Sequence, residues 1–309
     1  MALTRNRLLL VKGEATYGTS AAPDGSDALL VSNLEVSPLE LNRLDRELIR
    51  PYLGSSAMVV GQRHVAVNFD VEIAGSGTAG TAPRWGAIFK ACGFAEAVVA
   101  STSVAYTPVS SAFSSVTLDF NADGTKHLVT GARGTASFSL TAGEIPKISF
   151  SMLGIYNAAS ANAAASPTFT NQAAPVVVNS TNTTPVSIHS YAACLESFSL
   201  DLGNETPFRQ LAGCSQQVMI TDRKVTGEIS IEAPALGDKN YFSIASAQTA
   251  ATISWTHGQT AGNIVAFSAS NCSFDSPKYD DSDGIQMLTL GFDAIPSSAG
   301  NNEFTLTLT

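Results

Sequence analysis

DRKVTGEISIEAP occupies residues 222–234, and a close counterpart, QRHVAVNFDVEIAG, stands at 62–75. Arg63 and Arg223, Val65 and Val225, and Glu72 and Glu232 fall in step. In the earlier copy Val65, Val67, Phe69, Val71 and Ile73 alternate with Ala66, Asn68, Asp70 and Glu72. Period-two alternation puts apolar side chains on one face of a strand and polar, acidic ones on the other. A chain that writes such a strand twice is a candidate for internal duplication.

The surrounding order repeats as well. NLEVSPLEL (33–41) matches CLESFSLDL (194–202), with Leu34, Glu35, Leu39 and Leu41 in step with Leu195, Glu196, Leu200 and Leu202. Polar stretches follow at 42–61 and 203–221, then the R-x-V strand, then a helical segment. PRWGAIFKACGF (83–94) sets Trp85, Ile88, Phe89 and Cys92 at helical spacing behind Pro83, with Gly93 as the stop. LGDKNYFSIASA (236–247) does the same with Tyr241, Phe242 and Ala245, behind Asp238 as a cap. At 133–153 two alternating runs flank AGEIP, which predicts a β-hairpin. The whole order predicts repeats offset by about 160 residues.

The expected division is an N-terminal arm (1–28), a first β domain (29–156), a linker rich in Ala, Ser, Asn and Thr (157–190), and a second β domain (191–309). Two domains also suit a length of 309 residues, and each is long enough to bury its own core.

Only 14% of residues are charged, against about 25% in ordinary soluble domains. So little charge suits a protein that works packed against copies of itself. A net charge of −9 argues against binding nucleic acid through its phosphates, which takes a basic patch. Cys92, Cys194, Cys214 and Cys272 form no CxxC pair and read as small buried thiols rather than a zinc site. LLLV (8–11) is too short for the core of a signal peptide and no stretch has the length of a membrane span, so a reducing cytoplasm is the expected place of synthesis.

Three motifs invite chemistry and yield little. GSGTAG (75–80) has the glycine spacing of a dinucleotide loop between a strand and a helix. The strand before it alternates, however, where a parallel strand buried on both faces would be continuously apolar. No acidic residue follows at the right distance, and the second half's equivalent loop lacks the glycines. His64, His127, His189 and His257 have no G-x-S-x-G elbow nearby and read as surface residues. DDSDG (280–284), with Asp280, Asp281 and Asp283, is either a hairpin turn or a hard-cation loop, and it lacks the twelfth-position Glu of an EF-hand. No catalytic, cofactor or metal residues are assigned. On pattern alone the acidic faces, Asn68, Asp70 and Glu72 in one half and Glu228, Ser230 and Glu232 in the other, are either solvated or built to repel a polyanion.

An ordered set of stretches carries a family likeness: KGEATYGTSAAPDGSDALLV (12–31), TAPRWGAIFKACGF (81–94), LVTGARGTASFSLTAGEIP (128–146), SLDLGNETPFR (199–209), ITDRKVTGEISIEAP (220–234), THGQTAGNIV (256–265) and YDDSDGIQMLTL (279–290). Taken together the chain resembles the tail tube (major tail) proteins of tailed bacteriophages, in the duplicated-domain group from long flexible-tailed phages. The resemblance implies a mainly β fold: two tandem tail-tube-type β-sandwich domains, each with a short flanking helix, with an extended arm and long loops at 42–61 and 203–221. It implies a non-enzymatic virion subunit, assembled in the host cytoplasm into stacked rings around a bore.

With two domains per chain, three chains would supply a ring of pseudo-sixfold symmetry; a ring of six chains is the alternative. Expected partners are further copies of the chain and the tape measure, tail terminator and distal tail proteins. Phage DNA would pass without specific binding and no membrane is involved. Asp70, Glu72, Glu228 and Glu232 are the expected lumen-lining residues, repelling the duplex at a Debye length of about 8 Å. Two other readings stand beside this one: the tube subunit of a contractile injection or secretion machine, and a virion-surface β-sandwich binding module.

Overall fold

A computed structural model describes Leu3, residues 5–163 and residues 165–309. The protein is mainly β, with two short helices. Its strands of four or more residues in the first half are β1 (Arg7–Gly13), β2 (Ser32–Leu44), β3 (Val59–Glu72), β4 (Phe94–Val99), β5 (Ser103–Pro108), β6 (Val116–Ala122), β7 (Thr125–Thr141) and β8 (Lys147–Tyr156). The second half contributes β9 (Thr183–Ile188), β10 (Leu195–Asp201), β11 (Thr226–Glu232), β12 (Ala251–His257), β13 (Val265–Phe274), β14 (Lys278–Ser282), β15 (Ile285–Ala294) and β16 (Thr305–Leu308). The helices are α1 (Gly86–Ala91) and α2 (Tyr241–Ser246), each following its R-x-V strand. Gly93, at φ 92°, ends the first, as its sequence predicts. The second is capped by Asn240, whose side chain accepts from the Ser243 N–H, and not by Asp238.

Strand neighbours follow one antiparallel order in each half. It runs β2–β3–β8–β7–β6–β1 in the first half. In the second it runs β10–β11–β15–β13–β12–β9. The spacing between equivalent positions is not constant. Val36 lies opposite Val67 and Leu200 opposite Gly227, so the first strand repeats after 164 residues while the R-x-V strand repeats after 160. Leu153 faces Ala66 and Asp293 faces Thr226, so the closing strand repeats after 140. The letter match of 33–41 with 194–202 is therefore three residues out of structural step, while a one-residue β-bulge near Asn33 has its counterpart near Glu196.

The halves are not separate sheets. The end of β7 leaves β6 and pairs with β10, setting Ser137, Phe138, Ser139, Leu140 and Thr141 opposite Asp201, Leu200, Ser199, Phe198 and Ser197. On the other layer the C-terminal β16 sits between β13 of its own half and β5 of the first. One hydrophobic cluster fills the space between the layers and draws on both halves. Phe304 shows how: its ring lies 5.4 Å from Phe94 and 6.4 Å from Phe138 of the first half, and 5.3 Å from Phe267 of the second. These offset and edge contacts hold the seam beyond simple area burial.

Much of the expected arm is part of this body. Leu9, Leu10 and Val11 are buried, and β1 pairs along its length with β6. Glu14 is held by the Ser115 and Thr117 hydroxyls and by the Gly18 and Gly131 N–H groups. Asp27 takes Lys12 and Arg84 at 3.1 and 3.4 Å. A short apolar strand with a matching edge to join gains more by pairing than by staying extended in water.

GSGTAG lies on the seam. Gly75 N–H donates to the Asn263 side chain and Gly77 N–H to the Gly262 carbonyl. A Cβ on Gly75 would stand 2.0 Å from the Gly262 oxygen, and Gly262 itself has φ +86°. The glycines allow two backbones to meet where a cofactor loop was the competing reading. Gly75→Ala is expected to lower stability by about 1–3 kcal/mol through overpacking, read as a fall in the denaturant midpoint.

Candidate functional site

Because directly paired residues share a face, the ladders fix one surface running across both halves. One row reads Asp70, Ser149, Ser137, Asp201, Thr226, Asp293 from β3 through β8, β7, β10 and β11 to β15. The next reads Glu72, Lys147, Ser139, Ser199, Glu228, Gly291. A third reads Thr141, Ser197, Ser230, Thr289. The opposite faces of the same strands are Val65, Val67, Phe69 and Val71, then Phe138, Phe198, Ile229 and Ile231, all buried. Burying that apolar set is what turns the acidic set outward.

Asp70, Glu72, Glu228 and Glu232 are thus brought to a single polar face, Glu72, Glu228 and Glu232 exposed and Asp70 half-buried. Asp70 accepts from the Asn33 side chain at 2.7 Å, and Asp201 from the Gly203 N–H at 2.9 Å. Asn33, Glu35, Asn68, Asp70, Thr135, Ser137, Ser149, Ser151 and Asp201 border one shallow concavity of about 480 Å³. Glu35 and Asp201 are not among the residues that the sequence alone assigns to this face. The alternation of Ser197, Ser199 and Asp201 marks a polar face, but the β7–β10 ladder that sets it beside Asp70 is long-range. Cations on this face include Lys147, opposite Glu72, Lys278, opposite Thr289, Lys224, 3.5 Å from Asp293, and Arg133, opposite Leu153.

The paired arginines diverge. Arg63 lies over the Tyr156 ring at 5.6 Å. Arg223 is half-buried, and its guanidinium meets Glu303 at 2.6 Å while donating to the Val109 carbonyl. The long loops diverge too. Residues 203–221 fold back: Val218 and Ile220 are buried, Val218 O accepts from Arg133, and Phe208 stacks on His64. Residues 45–58 stay out in solvent at the tip of the β2–β3 hairpin, with Ile49 at 104% and Leu53 at 102% exposure, and Leu48, Tyr52, Met58, Val59 and Val60 exposed beside them. So large an apolar surface marks a place of contact.

DDSDG is a two-residue hairpin turn, with Asp283 at φ 53° and Gly284 at φ 82° as such turns demand. Among the described residues no group of three or more His, Cys, Asp or Glu side chains is placed to hold a metal ion. Cys92 and Cys272 are buried as expected, and burial pushes the Cys272 thiol up to about 12; Cys194 and Cys214 are exposed.

His257 is not the surface residue expected, being 1% exposed. Its Nε2 donates to the Val176 carbonyl at 3.1 Å, so Nδ1, 2.8 Å from Thr183 Oγ1, accepts. Burial pushes its pKa below the ordinary histidine value. The unfolded chain takes up a proton near pH 6.5 that the folded chain refuses, so this contribution to stability is full above about 6.5 and is lost as pH falls through the folded value. Between about pH 7 and 5 the melting temperature of the wild type is expected to fall more steeply than that of His257→Gln.

A broad sheet, acidic on one side and apolar on the other, carrying an apolar loop at its edge, is the make-up of a structural building block. The chain belongs to the phage tail tube protein family, whose profile matches residues 4–294. No curated protein matches it. It is a structural subunit of a phage tail tube, a component of the virion tail, and its family implies assembly into a tube with other tail proteins.

Proposed function

We propose that the chain self-assembles into stacked rings whose bore is lined by the acidic face, forming a conduit that delivers the phage genome without binding it. The observation that carries this reading is the continuity of that face: Asp70 and Glu72 of one half and Glu228 and Glu232 of the other lie on one sheet, joined through Asp201, and part of that surface is concave. Carboxylates and small hydroxyls repel or ignore phosphates, where a basic wall would hold them. Screening confines the repulsion to about 8 Å, which keeps a duplex off the wall.

The chain is a tandem duplication, and its halves share one order of strand neighbours and already stand edge to edge. Each acts as a sixth of a ring, and three chains complete it. The apolar 45–60 loop docks on the next ring along the tube. Tape measure, terminator and distal tail proteins cap or fill the tube, which is assembled in the host cytoplasm. Negative-stain electron microscopy of the purified protein at rising concentration tests this: rings or tubes with a central bore are expected, and a particle that stays monomeric even with the tail's initiating proteins present overturns it.

A further inference from the structure

The junction between halves is a template for a junction between chains. In β7, Phe138 sits opposite Ile148 of β8, and in β14, Tyr279 sits opposite Leu288 of β15. Ile148 and Leu288 in turn face Val71 and Ile231, equivalent positions of the two R-x-V strands. Tyr279 therefore occupies in the second half the place of Phe138 in the first. The helices agree: Phe138 lies 5.8 Å from Phe89 of α1, and Tyr279 lies 5.3 Å from Phe242 of α2.

The surroundings differ in one respect. Phe138 is covered by the other half, with Leu200 of β10 directly opposite, and is buried. Tyr279 is 56% exposed, and among the described residues β14 has no strand on its outer edge. The strand equivalent to β10 is β2, where Val36 holds the place of Leu200. Among the described residues its outer edge is also open. The chain thus carries both sides of the junction it makes internally, one at each end.

We propose that β14 of one chain pairs antiparallel with β2 of a second copy, in the register of the β7–β10 ladder, so that Tyr279 stands opposite Val36. This rests on the ring reading and names the strands that close it. The ladder would match Lys278 to Ser37, Tyr279 to Val36, Asp280 to Glu35, Asp281 to Leu34 and Ser282 to Asn33. The internal ladder has five pairs, and β14 has five residues. Pro38, with no N–H to give, ends the new ladder where the internal one also ends. The like charges of Asp280 and Glu35 are offset by Lys278, a diagonal neighbour of Glu35 on the same face.

The test uses full-length chains in which Cys194→Ser and Cys214→Ser remove the exposed native thiols. Val36→Cys and Tyr279→Cys are made as separate single variants, mixed, allowed to assemble, and treated with a short bis-maleimide. A shift from monomer to covalent dimer in the mixture, absent when either variant is treated alone, is the expected result. Ser37→Cys with Lys278→Cys is a second pair at solvent-facing positions, should Tyr279→Cys fail to fold. Tubes visible by microscopy without a cross-link at either pair overturn the strand assignment and leave the ring standing. A protein that never forms rings overturns both.

Discussion

Tubes built from a chain carrying Asp70→Lys, Asp201→Lys and Glu228→Lys are expected to capture duplex DNA where wild-type tubes exclude it. The three carboxylates belong to two adjacent rows of one face and span both halves. Their strands are held by the buried side of the sheet, so the substitutions at exposed Asp201 and Glu228 cost about 0.5 kcal/mol or less each. Asp70 also gives up its bond from Asn33, and Asp201 its bond from Gly203. Electrostatically the change is large, because six units of charge are shifted per chain on one face. Each lysine that meets a phosphate adds about 0.9 to the slope of log affinity against log salt, so retention should fall steeply as salt is raised. A phage carrying the triple variant is expected to assemble tails but lose infectivity by orders of magnitude. If its tubes exclude DNA as well as the wild type does, the acidic face does not line the bore.

Arg223→Met is expected to be among the most destabilising single changes in the chain. Arg223 and Glu303 are each 9% exposed at the side chain, joined by Nη2 at 2.6 Å and Nε at 3.1 Å, with Nη1 on the Val109 carbonyl. Taking away the guanidinium leaves a buried carboxylate without its counter-charge, a loss of about 3–5 kcal/mol. At roughly 2–4 °C per kcal/mol, the melting temperature should fall on the order of 10 °C. The pair also clamps the loop after β5 in the first half to two segments of the second, so amide exchange around residues 103–109 should quicken. Replacing both partners, as Arg223→Met with Glu303→Leu, should recover most of the loss, since two apolar groups leave no charge unpaired and only the Val109 carbonyl loses a donor. A single variant melting within about 2 °C of the wild type would show that the clamp is dispensable.

These residues also show how far the sequence could be read. The alternation in 62–75 and 226–232 predicts both strands and their apolar faces, because period two is a local property of the backbone. The two helices and the 133–153 hairpin were legible for the same reason. The four expected carboxylates do share a face, although alternation cannot say what that face looks onto. Asp201 could not be placed from its letters, since its neighbours depend on β7 crossing from one half to the other. The role of Arg223 was hidden by its likeness to Arg63, because a buried ion pair needs a partner 80 residues away. His257 looked polar and exposed, while its strand turns it inward. The folding of β1 into the sheet was masked by the Gly and Pro punctuation after it.

The two long loops follow equivalent strands of the two halves, and only one projects. In the proposed ring the apolar tip around Ile49 and Leu53 therefore appears once per chain, with the folded-back 203–221 segment between successive tips. A neighbouring ring meets three adhesive points rather than six. It can seat in orientations 120° apart but not at the 60° positions between them. Divergence of the halves would thus act as a key for angular phase, giving a growing tube one helical path to follow.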